Sequence, residues 1–259
     1  MFPCNIFQTW KNYNIPVEWQ KNQKTWKKLH KNWKYVLHSD YDNEAFILSK
    51  CPDLIDIYKQ LPQAINRVDY IRYVYLYYVG GVYADLDCEC INSLDPLLEK
   101  ETKNDILLGL VPDGQVDCAF MISKPHHPFW LDVLKEIETR LFHPSYIGQL
   151  QSLLSSSLQT LHLTGPCLLQ SMVEKCKDKY KIKLFPAEYF FPKSWHNTSL
   201  TDRSYITNRT YVVHHGAGSW LTSSDQWFCN GLKFIQHYYY YIIILVWILV
   251  MITLFRKKK

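Results

Sequence analysis

Asp85 and Asp87 stand one residue apart after a short apolar run, Val82-Tyr83-Ala84, which itself follows the glycine pair Gly80-Gly81. Side chains two apart on an extended segment share a face, so both carboxylates are expected to project from one strand end toward one spot. Two like charges held side by side are costly unless something positive lies between them. A hard divalent cation is the usual remedy, and Mg²⁺ or Mn²⁺ takes oxygen ligands and readily keeps phosphate oxygens among them. The pattern therefore suggests metal-assisted handling of a phosphorylated substrate. A solvated acidic turn is the plainer reading of a bare Asp-x-Asp, so the surrounding residues matter.

Residues 64–79 read as a helix. Ile65, Val68, Ile71, Arg72 and Tyr75 recur at near-helical spacing, Pro62 lies just before, and Gly80-Gly81 ends it. Apart from Arg67, Asp69 and Arg72 the stretch is nearly all apolar or tyrosine, so it should be largely buried. A charge on a buried helix needs a partner. Asp69 and Arg72, three apart, either pair with each other or face the pocket that receives Asp85 and Asp87.

In chain order, six blocks resemble glycosyltransferase family 32, the group with the DXD sugar-binding region. They are Ile6-Phe7-Gln8-Thr9-Trp10; Ala64-x-x-Arg67-x-Asp69-Tyr70-x-Arg72-Tyr73; Leu76-Tyr77 with Gly80-Gly81-Val82-Tyr83-x-Asp85-x-Asp87; Ala119-Phe120-Met121-x-Ser123-Lys124-Pro125-x-His127-Pro128-Phe129-Trp130; Thr164-Gly165-Pro166; and His214-His215-Gly216-Ala217-Gly218-Ser219-Trp220. They are collinear over residues 3 to 221. Two positions depart from the family: Phe7 where it commonly has His, and Cys118 where it commonly has Asn.

The resemblance implies an α/β domain of the GT-A nucleotide-sugar transferase fold, with a mixed, mostly parallel sheet and flanking helices. It implies transfer of a hexose from a GDP- or UDP-sugar to a hydroxyl on a glycolipid, glycoprotein or polysaccharide, with retention, assisted by Mn²⁺ or Mg²⁺. Asp87 would be the direct metal ligand, and Asp85 would serve the ribose or a metal-bound water. His214 or His215 would complete the metal or phosphate site. Ser219 and Trp220 would close over the diphosphate, Trp220 being alternatively a core anchor. Asp69 and Arg72 would hold sugar or ribose hydroxyls. Gln8, Thr9 and Trp10 would border the base, Trp10 being alternatively core, and Asp117 would lie near the acceptor.

The formal net charge of the 259 residues is +5, and Arg256 to Lys259 supply most of it. The remainder is near neutral, which argues against a nucleic-acid partner. The Lys-rich stretch 21–34 reads as a solvated helix face. The 8 cysteines show no zinc-site spacing and read as mostly buried thiols, with one or two disulfides open in an oxidising lumen. Residues 238–255 carry no charge and are mostly Ile, Leu, Val and aromatics. They are expected to form a transmembrane helix, with Tyr238–Tyr241 as an aromatic belt and 256–259 as a basic tail; a buried core segment is the alternative. The catalytic domain would then span 1–231 and a linker 232–237. The chain opens directly on its first strand, which favours a single-pass C-terminal anchor with the domain on the cytosolic side. The basic tail argues the other way, and the sequons at Asn197 and Asn208, which matter only in a secretory lumen, do not settle it.

Elsewhere, strands are expected at 5–10, 33–38, 82–86, 105–111, 117–123, 182–185 and 211–214. Helices are expected between the first two strands, within 41–60, and at 127–141, 149–160 and 165–177. Strands alternating with helices imply a sheet covered on both faces, with ligands gathered at the carboxyl ends of its strands. Two other functions fit parts of the pattern. A haloacid-dehalogenase-like phosphatase also uses Asp-x-Asp after a strand, but that motif does not follow a long helix and Gly-Gly. A membrane-anchored carbohydrate-binding protein without turnover would keep the same site.

Overall fold

A computed structural model describes residues 1–193 and 202–219. The elements run β1 (Asn5–Thr9), α1 (Val17–Leu29), β2 (Lys34–His38), α2 (Asp40–Lys50), α3 (Ile55–Gln60), α4 (Ala64–Tyr78), β3 (Gly81–Ala84), β4 (Cys88–Cys90), α5 (Asp95–Lys100), β5 (Ile106–Leu110), β6 (Val116–Ser123), α6 (Pro128–Phe142), α7 (Tyr146–Leu154), α8 (Ser156–Leu163), α9 (Pro166–Cys176), β7 (Ile182–Phe185), α10 (Ala187–Phe190) and β8 (Val212–His214).

Six strands form one sheet in the order β2-β1-β3-β6-β5-β7. β1 pairs parallel to β2 and β3, and β5 parallel to β7, while β6 runs antiparallel to both neighbours. Because β6 alone is reversed, its first residues lie at the edge where β1 and β3 end. That edge collects Thr9, Asp85 and Asp117. β4 and β8 form a separate two-stranded ladder, Cys88 opposite His214.

Alternation along the strands sorts the core into two layers. Phe7, Tyr83, Leu108 and Met121 pack with α4, α6 and α9 on one face. Ile6, Val82, Leu107 and Ile122 pack on the other, with Trp26 of α1, Leu97 of α5 and Phe190 of α10. Phe7 stacks on the Tyr75 ring at 4.9 Å, so this position is part of the core. α4 is buried from Tyr70 through Leu76 and is joined to α6 by the stacked Tyr73 and Trp130 rings, 5.7 Å apart. Burial of aromatic side chains this size stabilises by roughly 2–3 kcal/mol each.

Two expectations change. The single helix foreseen over 149–160 is two, because the Ser155 hydroxyl accepts the N–H groups of Ser157 and Leu158 and so caps a new start. The strand carrying Asp-x-Asp stops at Ala84, where its pairing with Phe120 ends. Asp85 to Asp87 form a turn closed by Cys88 N–H donating to Asp85 O at 3.0 Å. The carboxylates are thus brought together by a turn, not by strand alternation. Among the described residues the cysteines are free thiols, and no helix is long and apolar enough to cross a membrane. The expected span 238–255, and Trp220, lie outside the described residues.

The α4–β3 junction needs both glycines. Gly80 takes φ +67° and Gly81 φ +92°, and a Cβ on Gly81 would sit 2.6 Å from Asn5 O. Gly81→Ala is expected to destabilise the fold by about 2–4 kcal/mol. A urea midpoint unchanged from the parent would contradict this account of the junction.

Candidate active site

The turn that carries the carboxylates is held by its backbone. Gln8 Nε2 donates to Asp85 O at 3.0 Å and lies 3.4 Å from Ala84 O. From α1, Asn22 Nδ2 donates to Leu86 O at 3.2 Å and Trp26 Nε1 to Cys88 O at 2.8 Å. His215 N–H donates to Asp87 O at 3.0 Å, and Asp85 N–H to Ala119 O at 2.8 Å. Every carbonyl from Ala84 to Cys88 therefore has a donor, as a buried turn requires. The exposed face of α1 is the Lys-rich one; its buried face, Asn22 and Trp26, grips this turn.

Each carboxylate has its own cation. Arg72 is 2% exposed. Its Nη2 lies 2.8 Å from Asp69 and 3.4 Å from Asp85 Oδ1, and its Nη1 donates to Cys118 O at 2.9 Å. The guanidinium also lies over the Tyr83 ring at 4.7 Å, while Tyr83 OH donates to Asp85 Oδ1 at 2.7 Å. Both alternatives for Asp69 and Arg72 hold together: they pair, and Arg72 reaches Asp85. Asp69 Oδ2 accepts from Thr164 Oγ1 at 2.8 Å, the first residue of the Thr-Gly-Pro block. Those groups are buried and engaged with one another, and through Arg72 they support Asp85.

Asp87 pairs with His214, whose Nε2 is 3.4 Å from Oδ1, and its Oδ2 accepts Ala217 N–H at 2.8 Å. Burial works to raise the Asp87 carboxyl, yet the charge and hydrogen bond of His214 outweigh it and hold it at about 2. His214 is correspondingly lifted to about 9: burial opposes its charge, but Asp87, Asp117 and Asp85 together favour it. Asp85 is pushed up to about 6 by burial and the neighbouring Asp87, against the pull of Arg72. Its side chain is 29% exposed, so it still meets solvent.

His215 belongs to a different cluster. Its ring nitrogen lies 3.2 Å from Glu89 Oε2, and Glu89 also takes two bonds from Arg203, at 3.1 and 2.9 Å. Of the two imidazole rings only that of His214 reaches the Asp87 carboxylate, because β8 pairing places His214 opposite Cys88. Asp117 is buried, with Oδ1 accepting Ala119 N–H at 2.7 Å, and Ser219 is exposed. The Gln8 amide donates to the turn and accepts from Tyr35 OH, 2.6 Å away. Thr9 Oγ1 and Trp10 Nε1, next along β1, are buried and have no protein partner among the described residues. Unsatisfied polar atoms at this edge are what a ligand would complete.

Ligand atoms of Asp87, Cys88 and His214 lie within 4.8 Å of one another. Carboxylate and imidazole suit a divalent cation. Cys88 is fully buried, and burial raises its thiol well above the ordinary range, so it stays protonated. The donor set thus fits a divalent ion through Asp87 and His214, with Asp85 adjacent. Asn22 and Trp26 carry no motif signal, whereas Tyr83 lies within the DXD block, two residues before Asp85.

Residues 16–103 match the family described as glycosyltransferase sugar-binding region containing DXD motif. The chain is 36% identical over 138 residues to mannosyl phosphorylinositol ceramide synthase CSH1 of Saccharomyces cerevisiae, covering 53% of this chain and 36% of that protein. It is 29% identical over 234 residues to inositol phosphoceramide mannosyltransferase 3 of Schizosaccharomyces pombe, covering 83% of this chain and 60% of that one. The initiation-specific alpha-1,6-mannosyltransferase of Candida albicans is 27% identical over 201 residues, covering 66% and 52%. The fold is like that of PaToxG glycosyltransferase, with a TM-score of 0.51 and 16% identity over 67% of this chain and 69% of that one. Over these residues the chain is similar to the DXD-motif glycosyltransferases, and its architecture is GT-A-like. It spans roughly a third to three-fifths of the length of these curated relatives.

The Asp87–His214 pair sets a pH dependence for the metal-free chain. A carboxylate held below its ordinary 3.8 contributes stability present above that value and lost as pH falls through about 2. A histidine lifted above 6.5 contributes stability that is complete below 6.5 and lost as pH rises through about 9. The urea midpoint should therefore fall between these last two values, and His214→Gln should flatten the fall. An identical fall in the variant would remove His214 as its source.

Proposed function

We propose that this chain transfers a hexose, mannose from GDP-mannose in the first instance, to a hydroxyl of a membrane-borne acceptor such as inositol phosphoceramide. One observation carries the reading: Asp87, paired with His214, and Asp85, paired with Arg72, meet at the carboxyl edge of the sheet. The mannose donor and the lipid acceptor are suggested by the names of the relatives.

Asp87 and His214 would hold a divalent cation, which when bound supplies Lewis-acid stabilisation to the diphosphate leaving group. The chain's own residues do the rest. Asp85, fixed by Tyr83 and Arg72, accepts from a donor hydroxyl or a bound water. Thr9 Oγ1 and Trp10 Nε1 offer polar atoms to the nucleotide, and Asp117 stands near the acceptor. Transfer would proceed with retention, the acceptor hydroxyl attacking the face from which the diphosphate departs. Residues 238–255 would span the membrane and keep the domain beside its acceptor.

Full-length chain in detergent, given GDP- and UDP-sugars, Mn²⁺ and inositol phosphoceramide, should release nucleoside diphosphate from one donor only when acceptor is present. Asp87→Asn is expected to lower kcat/KM by about 10²–10³, and chelation should abolish turnover. Calorimetric donor binding without release, from a folded chain, would instead favour a carbohydrate-binding protein. Inorganic phosphate without sugar transfer would indicate a phosphatase.

Cation binding at His214 must also displace its proton. Mn²⁺ titration at pH 7 should release about one proton per ion, read from heats in buffers of different ionisation enthalpy. His214→Gln should release none. Release undiminished in the variant would assign the proton elsewhere.

A further inference from the structure

α7 turns an apolar face outward. Tyr146, Leu150 and Leu153 are 76%, 41% and 83% exposed. At spacings of four and three they lie on one side of the helix. Phe142, at the end of α6 just before it, is 44% exposed. Three such side chains cover at most roughly 500 Å², less than the roughly 800 Å² that each partner contributes to a standard protein interface. The face is too small to hold a second copy of the chain by itself.

The chemistry around it is distinctive. From Thr139 to Val173 the sequence has no aspartate or glutamate, and its polar residues are almost all Ser, Thr, Gln and Gly. The exposed residues of α7, Tyr146, Gln149, Leu150, Ser152 and Leu153, carry no charge, and a helix whose apolar side chains face outward can bury them at the boundary between headgroups and acyl chains. Nothing on this stretch would be repelled by anionic lipid or have to carry a carboxylate out of water.

The tether supplies the rest. Ser219 is the last described residue, and the uncharged run begins at Tyr238. Even fully extended, the intervening chain reaches no more than roughly 60–70 Å. A weak interfacial helix so tethered sees the bilayer at high effective concentration, so modest apolar area suffices.

We propose that the Tyr146–Leu150–Leu153 face of α7 seats in the interfacial layer of the membrane, giving the domain a second contact with the bilayer and a fixed orientation on it. This rests on the membrane attachment read for residues 238–255. The seating has a consequence for the site. α7 packs on α8, and α8 ends at Thr164, whose hydroxyl holds Asp69. The seated face is therefore one helix removed from the residues that support Asp85, and it would set the domain's attitude toward a lipid-borne acceptor.

The test uses the full chain reconstituted into phosphatidylcholine–phosphatidylinositol vesicles. Flotation reads attachment. Nitroxide labels at Leu153→Cys and, as a control on α2, Lys50→Cys read depth, with the signal from labelled native cysteines subtracted. Both positions are exposed, so neither substitution disturbs the core. Oxygen should relax the label at 153 more than a water-soluble nickel chelate does, and the order should invert at 50. A floating chain whose label at 153 is as accessible to nickel as the control overturns the seating and leaves attachment standing. A chain that does not float overturns both. A label at 153 shielded from oxygen and nickel alike, in detergent and in vesicles, means that protein covers the face and also overturns the proposal.

Discussion

The guanidinium of Arg72 joins the core to the site. It lies in the middle of the most buried helix, yet its donors reach Asp69 on its own helix, Asp85 at the end of β3 and the Cys118 carbonyl at the start of β6. Three separately folded segments thus converge on one planar cation, whose fixed fork constrains their relative positions more tightly than apolar packing could. Removing such a partner leaves buried carboxylates uncompensated, at a cost of roughly 3–5 kcal/mol. Tyr83 completes the arrangement by giving its hydroxyl to Asp85 and its ring face to the guanidinium.

The second carboxylate is supported from the opposite end of the chain. β8 returns after β7 and α10 to pair with β4, bringing His214 to Asp87 and the Ala217 N–H to its other oxygen. Arg203, Glu89 and His215 fasten the same returning segment from its outer side. The acidic turn is therefore braced between an interior cation that cannot lose its charge and a histidine that can. Arg72 fixes geometry at every accessible pH. His214 links the docking of the C-terminal strand to protonation and, in the proposed reaction, to cation binding. One anchor is permanent and the other exchangeable, as a site that loads and releases a charged ligand requires.

Much of this was legible from residue order. The Gly-Gly pair marks the helix-to-strand junction because only glycine tolerates the positive φ there. The run 64–79, apolar or tyrosine at most positions, marks a buried helix. The alternation of strands and helices fixes the class of fold. Asp85, Asp87 and the pair His214-His215 could be named because like charges need a counter-charge and the motif blocks resemble a known family in order. The partners that Gln8 and His215 take in the fold were not legible. Whether a polar side chain turns toward a ligand or is consumed by a neighbouring carbonyl depends on which backbone groups the fold leaves unpaired, and that is a three-dimensional inventory. Asn22 and Trp26 escaped notice for the same reason: on a Lys-rich helix their spacing signals only a buried side, not that the side grips a turn more than sixty residues away.

The sequence by itself therefore determined most of the sheet strands and long helices, the class of fold and the presence of an acidic pair awaiting positive charge, because periodicity and charge are local properties. Only the tertiary structure decided that the pair sits on a turn and not on a strand. It also decided that Arg72 and His214 divide the two carboxylates between them, and that β6, reversed in the sheet, delivers Asp117 to the same edge. Each of these follows from pairings between distant segments, where hydrogen-bond satisfaction and the cost of buried charge select one arrangement among many that the residue order alone allows.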